Sequence, residues 1–538
     1  MRRFMMWLVW LGFSVTISAC ASLPKYDDLW QQPAGFPTGG RITIAVPERI
    51  DVVQPWHIHN RAVELFLSLS HAGLMRLDTT GMPQPELIAD WQASRDQTVV
   101  TATLKADLRW SDDTPLTATD VVFTYNMIKS LPATTPLLAE FAVIDAVERV
   151  DDTHVRFLLL RPYAPLLSMW ALPILPAHVL AAQQVADVNM RNLTVSAGPF
   201  TYHARSEDGT IELIRNPHYV HGAALLDAVV LRTGQSDQQM QTDVGLGVVD
   251  IAEFATTPSL TTAIPVSSTT YAQHQMIVAI YNMRMGRITR DGAVRSALSA
   301  QAIGAMDALF LPQSWVTQAI TPTIQRPSAS QILDDAGWRL DAAGTLRQRG
   351  DDALTLTMLV ASDNAMLMTQ ATLLEQQWQA LGIRIDRQNL VRDAYLNALI
   401  PPYPFDVILV ALAGGRSSST YADTLFYEPD VRALFDASQR NDGIPNTRGS
   451  LNFSGIQDTT INAVLARIQE TYETDSRQHL YVDLVDALQQ QIPLQVVHRN
   501  MTTVWYGARL HATTGSLQFN SPWYPANASR WYVQPPPQ

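Results

Sequence analysis

Cysteine is almost absent: Cys20 is the only one in 538 residues. That excludes an intrachain disulfide and any cysteine-based metal cluster. Lysine is nearly as scarce, at positions 25, 105 and 129 only, so the basic residues are nearly all arginine; we read this as composition bias, not function. The formal net charge of −12 argues against nucleic acid or an anionic membrane surface as partner. The chain has no G-x-S-x-G elbow, no H-E-x-x-H and no phosphate-binding loop, so hydrolytic or nucleotide-driven chemistry lacks its usual motifs. His57-Ile58-His59 fits either two metal ligands or a loop edge, and H-x-H alone is a poor zinc signature. No enzyme activity, cofactor or resident metal is expected.

What is present begins with a targeting segment. Met1-Arg2-Arg3 is basic, Phe4–Thr16 is a short apolar run, and Ile17-Ser18-Ala19-Cys20 ends it with small residues, the pattern of residues 1–19 as a signal peptide. As a membrane span it is short, since a span needs roughly 20 apolar residues. The tetrad resembles a bacterial lipobox, which implies that Cys20 becomes the acylated first residue of the mature chain; an ordinary signal peptide with an incidental cysteine is the alternative. Several acyl chains anchor stably where one holds only marginally. Residues 20–40 carry Pro24, Pro33, Gly35, Pro37, Gly39 and Gly40 and read as a flexible tether. The expected location is extracytoplasmic, lipid-anchored to the cell membrane.

At 538 residues the chain is too long for one simple core, and two or three lobes are expected. Arg41–Val46 alternates as a strand, Val63–Leu74 has helical apolar spacing, and Val99–Leu104 and Val155–Leu160 read as strands. Met276–Met283 is another strand. Leu354–Val360, Met366–Leu381 and Ile383–Ile385 form a β-α-β unit with Gly382 as the helix terminator. Ile461–Gln469 and Arg477–Gln491 are helical by pattern. Residues 108–125, LRWSDDTPLTATDVVFTY, give a strand, a turn with Pro115, and a helix capped by Thr117 with Asp120 three residues on.

That last segment resembles the W-S-D-G-x-P-[LV]-T-A-x-D-V signature of the family 5 extracellular solute-binding proteins, the peptide, dipeptide and nickel receptors of ABC importers. Asp113 stands where that family has glycine. Further matches follow in order: Ala197–Tyr202 and Ile211–Tyr219 with "G-[TS]-G-P-[YF]" and "L-x-R-N-x-x-Y", Asp291–Leu298 with "D-x-x-V-R-x-A-[LI]", Ile332–Trp338 with "L-L-x-x-A-G-[WY]", and Phe405–Leu409 with "[YF]-D-x-x-[LI]". The resemblance covers about residues 41 to 533.

It implies an α/β, two-lobed periplasmic-binding-protein-like fold with an extra inserted subdomain. Domain I is expected at 41–72, 191–272 and 500–538, domain II at 73–190 and domain III at 273–499. It also implies a monomeric receptor that closes its lobes on a peptide or similar polar solute and delivers it to ABC permease subunits. Alternatives are a sensing receptor uncoupled from transport, or an importer receptor for a metal chelate, an oligosaccharide or an opine-like anion. In peptide-binding relatives an Asp after the strand matched by Phe405–Val410 holds the ligand amine. Here the loop reads Ala411 to Tyr421 without an Asp, and offers Gly415, Arg416, Ser417, Ser418 and Tyr421. The Arg416 fork suits a carboxylate, or pairs with a nearby acid in solvent. Trp56, His57, Asn282 and Trp170 are further candidates for the cleft wall, because ligands sit where loops leave strand ends.

Overall fold

The computed structural model describes residues 35–57, 60–132, 141–259, 262–300, 306–320, 327–413, 432–435 and 452–534. Its backbone is a ten-stranded sheet. In chain order the strands are β1 (Arg41–Val46), β2 (Phe200–Arg205), β3 (Ile211–Arg215), β4 (Ala228–Thr233), β5 (Ile251–Phe254), β6 (Val266–Tyr281), β7 (Thr355–Ala361), β8 (Arg384–Leu390), β9 (Val407–Ala413) and β10 (Leu494–Gly507). Across the sheet they run β8-β7-β9-β6-β10-β5-β1-β4-β3-β2.

The apolar side chains separate into two large cores. One draws on residues between Ile42 and Leu231, with Ile251, Tyr271 and Val504–Trp531. The other runs from Met276 to Val497. A small cluster of Ala45, Met240, Val244, Val249, Ala252 and Phe254 also belongs with the first strands. The cores define lobe 1 and lobe 2, and among the described residues only β6 and β10 contribute buried side chains to both. These two strands pair with each other from Val266↔Gly507 to Ile280↔Leu494, and the register slips between Ala272 and Met276. Gln273, His274 and Gln275 fall in that slip, a bulge in the ladder where the lobes meet.

Strand polarity fixes what lies between the lobes. β1 is parallel to β4 and β5, and β5 is antiparallel to β10, which is antiparallel to β6. β6 therefore runs with β1, out of lobe 1 and into lobe 2. There it is antiparallel to β9, which is parallel to β7, as β7 is to β8. The carboxyl ends of the parallel strands of each lobe thus face the other lobe.

Lobe 1 carries an inserted antiparallel sheet of Ile88–Ala93, Val99–Leu104, His154–Leu159 and Ile144–Arg149. The helix α2 (Ala118–Lys129), which follows α1 (Arg61–Ser70) in the chain, opens on the expected capping box: Thr117 Oγ1 accepts from Thr119 N at 3.3 Å and Asp120 Oδ2 from Thr117 N at 2.9 Å. Asp120 Oδ1 also accepts from Ala177 N at 3.0 Å, so one carboxylate fastens both the helix start and the chain that passes it. Asp113 takes φ +71°, the left-handed conformation glycine would adopt at no cost. Asp tolerates that region better than most residues, and its Oδ1 accepts from Arg109 at 3.1 Å.

In lobe 2, α3 (Ala365–Gln379) and α4 (Arg392–Asn397) connect β7, β8 and β9, while α5 (Thr459–Glu470) and α6 (Thr474–Gln491) precede β10. Asn364 caps α3, and Gly382 ends its exit turn at φ +81°, as the sequence requires. The inserted subdomain touches the α5–α6 turn: Ala164 N donates to Gln469 O at 2.6 Å, Arg161 to Gln469 Oε1 at 2.6 Å, and Tyr472 OH to Tyr163 O at 3.1 Å. The Trp91 and Tyr472 rings lie 5.2 Å apart.

Candidate functional site: the facing strand ends

On lobe 1 the carboxyl end of β5 presents Glu253, which is buried. Arg61, at the start of α1, meets it with Nε at 3.1 Å from Oε2 and Nη2 at 3.1 Å from Oε1. Tyr524 OH donates to Glu253 Oε1 at 2.6 Å and Tyr271 OH to Oε2 at 3.2 Å. The guanidinium also stands 5.3 Å from the Tyr524 ring centroid, and its remaining arm holds Glu64 at 2.9 Å. Burial pushes both phenols well above their ordinary value. Glu48, two residues past β1, is raised from its ordinary value, first by burial and then by the neighbouring Glu253 charge, against its own backbone amide and Arg61. Its Oε2 is buried without a hydrogen-bond partner. This wall is therefore an ion network that holds the first turn of α1 against the end of β5.

On lobe 2 the ends of β7 and β9 enclose a crevice of about 120 Å³. Asp363, Asn364, Arg392 and Tyr395 supply its polar atoms, with Leu367, Val410 and Phe453 among its apolar walls. Asn364 Oδ1 is committed to the amides of Met366 and Leu367, both at 3.1 Å, and Tyr395 OH donates to Leu409 O at 2.6 Å. Those bonds fix the rim of a largely apolar slot that Asp363 and Arg392 also line, suited to a ligand with an apolar body and polar ends. Among the described residues no group of His, Cys, Asp or Glu has the geometry of a metal site.

The residues expected from the sequence fall in different places. Gly415, Arg416, Ser417, Ser418 and Tyr421 lie outside the described residues, and so does Cys20. His57 is exposed, its amide bonded to Gln54 O at 3.0 Å. Trp56 is buried in the lobe 1 core. Asn282 and Trp170 are core residues, not walls. Asn282 is fully buried and its amide nitrogen donates to Phe405 O at 2.9 Å, because the segment leading into β9 leaves a buried carbonyl that needs a donor. Trp170 is fully buried against Phe157, with ring centroids 5.0 Å apart. The Asp363, Arg392 and Tyr395 set was not singled out from the sequence. Its signal was there: Ser-Asp-Asn directly after an alternating strand, at the position where α/β crevices form.

The comparisons with known proteins agree with this arrangement. The family model described as bacterial extracellular solute-binding proteins, family 5 Middle, matches residues 82–431. Protein XP55 of Streptomyces lividans is 26% identical over 357 residues, covering 63% of this chain and 65% of its own. The oligopeptide-binding protein AppA of Bacillus subtilis is 22% identical over 368 residues, with the same coverages. The matched region thus spans just under two thirds of these curated relatives. Among solved structures, HbpA2 from Haemophilus parasuis superposes with a TM-score of 0.71 at 16% identity, covering 92% of this chain and all of that one. The chain belongs to the bacterial extracellular solute-binding proteins, family 5.

Proposed function

We propose that the chain is the extracytoplasmic substrate-binding component of an ABC importer, which captures a peptide or similar polar solute between its lobes and hands it to the permease. The observation that carries this is the polarity of the sheet. Two sets of strand carboxyl ends face each other across two shared strands, so one ligand touching both stabilises the closed form by its differential contacts alone. No bond need be made or broken. The family and the oligopeptide-binding relative support the solute class. In this reading the division into 41–72, 191–272 and 500–538, 73–190, and 273–499 gives the moving parts, and Cys20 carries the anchor of a monomeric receptor.

The test is thermal stability and small-angle scattering of the mature chain with di- to pentapeptides. A ligand at 100 times its Kd adds about 2.7 kcal/mol, and the radius of gyration contracts. No stabilisation by any peptide sinks the peptide assignment. Cys20→Ala moves the protein from the membrane fraction to the soluble one; if it stays, the anchor lies elsewhere.

A second reading has its own observation. No Asp stands between Ala411 and Asp423, whereas Arg416 does, so an anionic or oxygen-rich group is the alternative ligand end. Arg416→Ala then weakens binding of carboxylate ligands and leaves neutral ones unaffected.

A further inference from the structure

The crevice at the ends of β7 and β9 narrows the class of solute. Its space comes from small residues on those strands. β7 finishes on Ala361 and β9 passes through Ala411, and both line the crevice. Around that space stand Leu367, Tyr395, Leu399, Val410 and Phe453, each about 4% exposed.

The polar atoms of this wall are already spent. Tyr395 OH is donated to Leu409 O, and Asn364 Oδ1 accepts from the first amides of α3. Asp363 and Arg392 are exposed and belong to the rim. A trapped water needs about two to four polar partners, and an apolar cavity without them stays dry. The interior therefore suits an apolar group, which gains by leaving water.

Position and size add to this. The crevice lies at the carboxyl ends of parallel strands, on the side of lobe 2 that faces lobe 1. Two large apolar side chains are left in water beside it in the chain: Met366, next to Leu367, is 45% exposed, and Val391, next to Arg392, is 67% exposed. An apolar cavity of about 150 Å³ holds one benzene. The crevice, at about 120 Å³, is smaller than that. It has room for a branched aliphatic chain and not for an indole.

We propose that this crevice is the specificity pocket of the receptor: it takes one compact aliphatic or thioether side chain of the solute, of leucine or methionine size, and refuses a charged or indole side chain. This rests on the receptor reading above and names the part of the solute that lobe 2 selects. Asp363 and Arg392 stay at the rim, where the polar remainder of the solute passes.

The probe is trialanine, titrated calorimetrically on the full mature chain beside peptides that carry leucine, methionine, lysine or tryptophan at each position in turn. At one position leucine and methionine bind about fifty-fold tighter than alanine, the worth of three further buried carbons. Lysine and tryptophan at that position bind no tighter than alanine. Ala411→Leu builds a side chain into the crevice and collapses the leucine-to-alanine ratio. A ratio that survives Ala411→Leu overturns the pocket. A flat series in which every peptide binds also overturns it, and leaves the receptor function standing. If Ala411→Leu does not fold, methyl resonances of Leu367 and Val410 in the wild-type chain decide: they must move with the leucine peptide and not with trialanine. If no peptide binds, the peptide reading fails by itself, and xenon tests the pocket. Leu367 and Val410 methyl resonances that shift under xenon in the wild type and not in Ala411→Leu uphold an apolar pocket; resonances that stay in place overturn it.

Discussion

The two lobes bury charge in opposite ways. In lobe 1 arginines meet carboxylates in the interior: Arg61 with Glu253, and Arg76 with Glu86. In lobe 2 the buried arginines mostly meet backbone oxygen. Arg295 donates to Gln491 O, Thr289 O and Arg290 O at 2.8 to 2.9 Å. Arg347 reaches Leu381 O and Trp338 O, with Asp334 as its one acid. Arg284 holds Phe453 O and stacks 3.7 Å from the Tyr403 ring centroid. An ion pair ties two elements together, whereas a guanidinium on carbonyls closes the loose end of a loop or helix. Lobe 1 is therefore stapled between elements by charge, and lobe 2 is finished at its turns.

The contrast can be broken at several points. The largest effect is expected from Glu86→Ala, which removes the carboxylate on which Arg76, His221 and Tyr219 converge; losing one partner of a buried pair costs about 3–5 kcal/mol, read by chemical denaturation. A cost near zero would show that lobe 1 does not depend on its ion pairs. Acid comes next. Burial lowers His71 to about 3 and His274 to about 4, both from an ordinary 6.5. The folded values lie below the unfolded ones, so the unfolded chain takes up protons first, and stability falls as pH drops from 6.5 toward those values. Each group contributes at most about 1.4 kcal/mol per pH unit. Glu86, held below its ordinary value by His221 and Arg76 against the opposing effect of burial, adds a further loss below about pH 4.5. Hydrogen exchange corrected for the chemical rate should show lobe 1 losing protection before lobe 2; equal loss breaks the comparison.

In lobe 2, Arg295→Ala leaves three carbonyls without their donor and should cost about 1–3 kcal/mol, less than Glu86→Ala. The reverse ranking would invert the argument. Where the lobes touch, Tyr472→Phe keeps the ring against Trp91 but loses the bond to Tyr163 O, for about 1 kcal/mol, and ligand affinity measured in parallel tells whether that contact belongs to the closed form. The smallest change is Asp113→Gly. It relieves a left-handed residue at an exposed turn, and a stability within a few tenths of a kcal/mol of the parent, read by thermal melting, is expected once the looser unfolded chain is counted.

The elements legible in the sequence were those whose local chemistry and burial agree. β1 occupies the residues its alternation gives, and Thr117 with Asp120 sets the start of α2. β6 was legible only over its last third. Val266–Gln275 reads Val-Ser-Ser-Thr-Thr-Tyr-Ala-Gln-His-Gln, polar on both faces, because that stretch crosses between lobes and its strand state comes from pairing with β10, not from an apolar face. Asn282 and Trp170 misled for a related reason. A residue's place at a strand end or after a turn is visible in the sequence, but whether its side chain turns inward is set by carbonyls and rings distant in the chain.

The slip between Ala272 and Met276 has one more consequence. A continuous ladder resists twisting, since every rung would have to stretch at once. Here the rungs fail at two neighbouring spots, between Ala272 and Met276 and again between Ile277 and Val278, and Gln273, His274 and Gln275 on β6 stand opposite Asn500 alone on β10. Rotation of one lobe against the other can be absorbed over these few residues while the pairing from Val266 to Ala272 stays whole. The joint is thus a flexure cut into a stiff beam, where bending between the lobes is concentrated.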